Sequence, residues 1–246
     1  VIAAGPGEGK STFALQIANK VASEHGHVIY ISLEMSKQEL IAKLISSETN
    51  TPTSQVMQGN IPDNYIMTTS LTQSNLVIID DTSNRFDDIY ASIRMQATIM
   101  DVKMIVIDYL QLMSGDTRQT KTNEIGAMTA KLKGLARELQ IPIIILSQVN
   151  RDKSRTDYYL SDLRDSGNIE QDADVVMFIF RPVAHGLDSY KYLNLENCND
   201  ETAVIKIDKC RLGKTGAVEV RFKGEYSRFE NVGDTINSFT GDDAPF

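Results

Sequence analysis

No run of about 18 consecutive apolar residues occurs in this 246-residue sequence, which excludes an ordinary membrane-spanning helix. A basic, apolar leader with a small-residue cleavage site is missing as well, and the expectation is a soluble, cytoplasmic protein with no membrane partner. Cysteine is scarce. Cys198 and Cys210 have no nearby Cys or His at zinc-ligand spacing, and two cysteines make a poor disulfide framework, so both read as reduced thiols. Positive charge is also short: 25 Lys and Arg against 33 Asp and Glu leave a formal charge of −8. A protein whose whole surface binds nucleic acid would be basic, so any DNA contact here must be local, through a few arginines and backbone amides. Internal repeats and low-complexity linkers are absent too, and 41% hydrophobic residues suffice for one large core.

What is present is an alternation of short β-branched runs with longer segments of helical period. That pattern predicts an α/β fold, a mostly parallel sheet with helices on both faces. Strands are expected at 1–4, 27–33, 76–80, 103–108, 142–147 and 174–180, and helices at 10–24, 35–47, 86–100 and 122–140. In the last helix Ile125, Met128, Leu132, Leu135 and Leu139 recur at steps of three and four, giving one apolar stripe for the core. After residue 180 strand-like runs at 190–195, 202–208 and 217–222 predict an antiparallel extension of the same sheet. The expected division is one domain over 1–232 and a flexible Gly/Asp-rich tail over 233–246. Val1 and Ile2 already read as the end of a buried strand, so the chain is expected to be a fragment of something longer.

Residues 1–12, V-I-A-A-G-P-G-E-G-K-S-T, supply an apolar strand, a glycine-rich turn and the opening of a helix. Phosphate binding requires this arrangement. Gly5, Gly7 and Gly9 let the backbone curl with its N–H groups inward, and the helix N-terminus adds a positive dipole end. The nucleotide-binding run is Gly5, Pro6, Gly7, Glu8, Gly9, Lys10, Ser11 and Thr12, with Lys10 reaching the β- and γ-phosphates of ATP and the Ser11 hydroxyl ligating Mg²⁺. The strict P-loop pattern has glycine where this chain has Ala4.

Ligands of open parallel sheets sit beyond the carboxyl ends of the strands, so acids at strand tips emerge beside this loop. Glu34 follows V-I-Y-I-S-L and suits a general base for the attacking water, while Asp108 ends M-I-V-I-D and suits metal support. Asp80 and Asp81, after L-V-I-I, compete for the metal role. Gln148, at the tip of P-I-I-I-L-S-Q, can sense the γ-phosphate with its amide.

With these residues in place the sequence resembles the DnaB-type replicative DNA helicases, a branch of the RecA-like P-loop ATPases. The resemblance is carried by G-P-G-E-G-K-S-T, S-L-E-M-S at 32–36, V-I-D-Y-L-Q-L-M at 106–113, L-A-R-E-L-Q-I-P-I-I-I-L-S-Q-V-N-R at 135–151 and S-D-L-R-D-S-G-N-I-E-Q-D-A-D-V-V at 161–176, in order over about residues 1–225. Alanine at position 4 looks like that family's own variant, and the resemblance favours Asp108 as the metal carboxylate. It further implies that I-D-K-C-R-L-G-K-T-G at 207–216 reaches a neighbouring copy's nucleotide, with Lys209 and Arg211 as basic fingers. Two residues apart on a strand, both cations would share one face. For DNA it implies Arg151, Arg164, Asp165 and Gly167, which would read backbone rather than bases. The stretch 151–160 looks shorter than the family's usual loop. The implied function is an ATP-hydrolysing helicase motor of a bacterium or phage, hexameric at full length, on single-stranded DNA, with a primase and a helicase loader as partners. The family's N-terminal helical domain and linker helix are missing from this sequence. Two alternatives share the nucleotide residues: a RecA-like recombinase or clock-type ATPase, and a non-hydrolysing nucleotide-binding module.

Overall fold

The computed structural model describes residues 1–62, 75–80, 83–115, 120–149, 156–163 and 167–233. Strands β1 (Ile2–Ala4), β2 (His27–Ser32), β3 (Leu76–Ile79), β4 (Val102–Asp108), β5 (Ile143–Gln148), β6 (Val175–Phe180), β7 (Thr202–Cys210), β8 (Gly216–Lys223) and β9 (Arg228–Asn231) form one sheet in the order β3-β2-β4-β5-β1-β6-β7-β8-β9. Pairing is parallel from β3 across to β6 and antiparallel from β6 to β9. Successive strand residues face opposite ways, and this divides the core in two. Val28 and Tyr30 of β2 pack with Leu15 and Ala18 of helix α1 (Lys10–Glu24) and with Leu40 and Leu44 of α2 (Lys37–Thr49). Ile29 and Ile31 pack on the other face with Ile89 and Ile93 of α4 (Phe86–Ile99) and with Ile125, Met128, Leu132 and Leu135 of α5 (Lys121–Leu139). Two short helices complete the set, α3 (Thr53–Met57) and α6 (Gly167–Asp172). Among the described residues no helix is long and apolar enough to cross a membrane.

Local chemistry sets the boundaries. Ser36 and Glu39 form a reciprocal capping box, in which the Ser36 hydroxyl accepts the Glu39 amide at 3.3 Å and the Glu39 carboxylate takes the Ser36 amide at 2.8 Å. Helix α2 therefore starts at Lys37, two residues later than the apolar pattern suggested. At the end of α5, Gln140 takes a left-handed conformation, φ 58°, two residues before Pro142, and the helix stops.

Two expectations about the C-terminal half need correction. The run 190–195 is not a strand; Lys191–Leu193 form a 3₁₀ turn closed by an isolated bridge between Tyr190 and Leu195. Asn194, at φ 51°, turns the backbone out of the extended region there. The last strand, β9, was not foreseen, because R-F-E-N carries a single apolar residue and shows no measurable alternation. Residues 234–246, expected as a tail, lie outside the described residues.

Candidate functional site

Strand β1 lies between β5 and β6, so its carboxyl end delivers the glycine-rich turn to the middle of the sheet. Gly7 and Gly9 have φ of 76° and 94°, which favours glycine, and a side chain on Gly9 would meet the Phe229 ring at 2.8 Å. Gly9 opens α1 with no side-chain cap, leaving the leading amides of the helix to an anion. Pro6 and Gly7 are exposed, whereas Gly5, Glu8 and Thr12 are buried.

Lys10 and Asp108 meet at this point, Nζ to Oδ1 3.9 Å apart, with the Lys10 side chain 10% exposed and Asp108 wholly buried. The Tyr30 hydroxyl donates to Asp108 Oδ2 at 3.1 Å and lies 3.4 Å from the Ser11 carbonyl, so one phenol joins β2, β4 and the start of α1. Burial, reinforced by the Asp108 carboxylate, pushes the Tyr30 phenol well above its ordinary range, so it acts as a neutral donor. Asp108 Oδ1 is buried with no hydrogen-bond partner among the described residues. A buried carboxylate oxygen left in this way, beside a lysine, fits a hard cation. Asp80 is used otherwise: its carboxylate accepts the Lys37 amide at 2.6 Å, at the start of α2, while Asp81 lies outside the described residues. Glu34 follows β2 and is exposed. Gln148 ends β5 in register with Ala4, and its backbone N–H donates to Gln111 Oε1 at 3.4 Å; Gln111 in turn donates to Ser147 Oγ at 2.8 Å.

Several side chains around the loop were not singled out from the sequence. Lys43 of α2 donates to Thr12 Oγ1 at 3.3 Å and to Ser227 Oγ at 3.4 Å, and burial lowers its ammonium below the usual lysine range against the opposing pull of Glu39 and Asp108. Arg181, at the end of β6, lies over the Phe222 ring, donates to the Asp200 carbonyl at 2.7 Å and reaches the Gly7 carbonyl at 3.5 Å. Glu8 turns into the protein, where Tyr158 and His185 hold it. Lys43, Tyr158 and His185 are brought to the loop by tertiary packing, and no local spacing marks them.

Lys209 in β7 and Arg211, just past its end, both bond helix α6, at the Glu170 and Gln171 carbonyls. Arg211 also pairs with Asp174 at 3.5 Å. Because β7 runs antiparallel to β6, Cys210 lies opposite Val175, at the far end of the sheet from the P-loop. Of the residues expected to touch DNA, Arg151, Arg164 and Asp165 lie outside the described residues, and Gly167 opens α6.

A glycine-rich loop closing the central strand of a mixed sheet, with a lysine and a strand-tip aspartate facing each other, defines a RecA-like P-loop nucleotide-binding domain. More narrowly, the family described as DnaB-like helicase C terminal domain matches residues 1–231, and the chain belongs to it. It is 37% identical over 243 residues to the replicative DNA helicase DnaB of Geobacillus stearothermophilus, covering 94% of this chain and 52% of that protein. With the replicative DNA helicase DnaB of Leifsonia xyli the identity is 38%, over 94% of this chain and 51% of the relative. The chain thus spans about half the length of these relatives. Among solved structures, an isolated ATPase domain superposes with a TM-score of 0.80 at 31% identity, covering 94% of this chain and 83% of that one. A DnaB-like replicative helicase, studied with its primase interactions, gives 0.80 at 31% identity, over 94% and 56%.

Proposed function

We propose that this chain is the motor of a replicative DNA helicase, which hydrolyses ATP at the boundaries between copies and moves along single-stranded DNA. The observation that carries the reading is the convergence of Lys10, Asp108 and Tyr30 at the mouth of an uncapped helix. In it, the loop amides and Lys10 bind the β- and γ-phosphates, and Glu34 accepts the proton of the attacking water. Ser11 and Asp108 would hold Mg²⁺, which offsets charge on the phosphate oxygens when bound. Gln148 reads the γ-phosphate, and its link to Gln111 ties that reading to the tip of β4. Lys209 and Arg211 stabilise the phosphates of a neighbouring copy, because their end of β7 is remote from the loop of their own chain. Arg151, Arg164, Asp165 and Gly167 contact the DNA backbone, and the full-length protein is a homohexamer that works with a primase and a loader.

ATPase turnover of the full-length protein with and without single-stranded DNA tests the reading. Stimulation by DNA is expected; turnover indifferent to DNA at every concentration sinks the motor assignment. The block L-S-Q-V-N-R at 146–151 and the extent of the family match support the helicase over the recombinase and over a non-hydrolysing module.

A further inference from the structure

The nucleotide reading leaves one P-loop side chain without a task. Glu8 is only 3% exposed and points away from solvent. Its Oε1 accepts the Tyr158 hydroxyl at 2.7 Å and lies 2.8 Å from His185 Nε2, while the phenol oxygen and the imidazole are 3.1 Å apart. The three groups close a triangle. The same phenol oxygen packs against Gly5, and the Glu8 amide meets the Gly5 carbonyl at 3.4 Å. Tyr158 therefore bonds one end of the turn from Gly5 to Glu8 and packs against the other. A side chain on Gly5 would lie 2.5 Å from the phenol oxygen and 2.6 Å from Glu8 Oε1, so the grip leaves room for glycine alone.

Neither ring is free to turn away. Tyr158 sits edge-on to Phe180 with centroids 5.2 Å apart, and His185 stacks on Phe180 at 4.7 Å. Behind Tyr158, Asp157 accepts from Lys206 Nζ at 2.7 Å and from the Tyr190 hydroxyl at 3.0 Å, and Lys206 also donates to the Tyr158 carbonyl at 2.6 Å. Burial raises the Glu8 carboxyl above its usual range, with the Tyr158 and His185 contacts opposing the rise. Turned inward between two donors, the acid keeps its charge off an incoming triphosphate. The Val149 amide donates to the Ala4 carbonyl at 3.2 Å, which fixes the end of β5 beside the start of the same loop.

We propose that Tyr158 and His185 are positioning residues for ATP, which hold Glu8 and fix the shape of the phosphate loop. The proposal rests on the loop being an ATP site. The test is steady-state ATPase of the full-length protein. Tyr158→Phe is expected to raise KM for ATP about tenfold, the loss of one hydrogen bond to a charged or buried acid, with kcat changed less than about twofold. Glu8→Ala should match it, and Glu8→Gln, which keeps a carbonyl acceptor, should recover most of the lost affinity. Should Tyr158→Phe not fold, His185→Leu carries the same expectation on KM. A drop in kcat with KM unmoved marks a merely structural role and overturns the proposal, as does wild-type behaviour throughout. A wild-type protein without ATPase activity overturns the motor reading beneath it.

Discussion

Asp108 is wholly buried, yet its Oδ1 has no hydrogen-bond partner among the described residues, and Lys10 stands 3.9 Å away. Such an oxygen is costly to bury unless something charged completes it. Asp108→Asn should therefore abolish Mg²⁺-dependent turnover, checked by titrating the metal against ATPase rate. Glu34→Gln is expected to retain ATP binding and lose turnover by about 10²-fold or more, measured as nucleotide affinity beside kcat; normal turnover would remove Glu34 from the base role. Tyr30→Phe deletes the donor to Asp108 Oδ2 and should cost about 1.5–3 kcal/mol in thermal or denaturant unfolding, together with a higher Mg²⁺ requirement. The glycine-rich loop marked Lys10, and strand tips marked Glu34, Asp108 and Gln148 as candidates, since the acid or amide ending an apolar run emerges at the ligand edge of a parallel sheet. Tyr30 was not legible as part of the site: inside V-I-Y-I-S-L an aromatic reads as core, and its hydroxyl acquires meaning only when β4 brings Asp108 beside it. Asp80 is engaged at the start of α2, which supports Asp108 over Asp80 in the proposed metal role.

Elements were legible where their periodicity was long. In the α5 stripe Ile125, Met128, Leu132 and Leu135 are buried and Leu139 is half-buried, and Leu132→Ala, which opens a hole beneath a fully covered side chain, should cost about 2–5 kcal/mol in denaturant unfolding. The start of α2 follows from its capping box. Ser36→Ala should cost about 1 kcal/mol, seen as a lower unfolding midpoint. Hydrogen bonds from Ser36 hold the Glu39 carboxyl below its usual range. A lowered acid stabilises the fold above the unfolded value near 4.5 and loses that contribution as pH falls through the folded value. The group is exposed and screened, so the acid-side slope removed by Ser36→Ala is expected to be shallow. Short elements escaped the reading for a physical reason. Helix α6, β9 and the 3₁₀ turn at Lys191–Leu193 are each under two turns or five residues, and their conformation comes from contacts made elsewhere. Helix α6 illustrates this: its carbonyls at 170 and 171 are bonded by Lys209 and Arg211, 39 and 40 residues onward.

At the scale of the whole molecule, the buried pair of Lys206 and Asp157 joins β7 to the segment before Leu160 and, through Tyr190, to the turn after β6. Lys206 is 3% exposed, and removing it strands a carboxylate in the interior. Lys206→Met should lower stability by about 3–5 kcal/mol, read as a fall in Tm of roughly 2–4 °C for each kcal/mol in a domain of this size. In the proposed motor, the acidic balance of the chain would keep DNA contact local. Affinity for single strands should weaken as salt rises, with a log–log slope set by the few phosphates engaged, and should vary little with base sequence.

The change of strand direction between β6 and β7 puts a copy's fuel at one edge of its sheet and its basic tips at the opposite edge. If those tips serve a neighbour's nucleotide, as proposed, a solitary molecule would hold ATP without the means to spend it, and company would start the reaction. Dilution alone should silence such a machine, and crowding should wake it, with no change in any bond inside the copy itself.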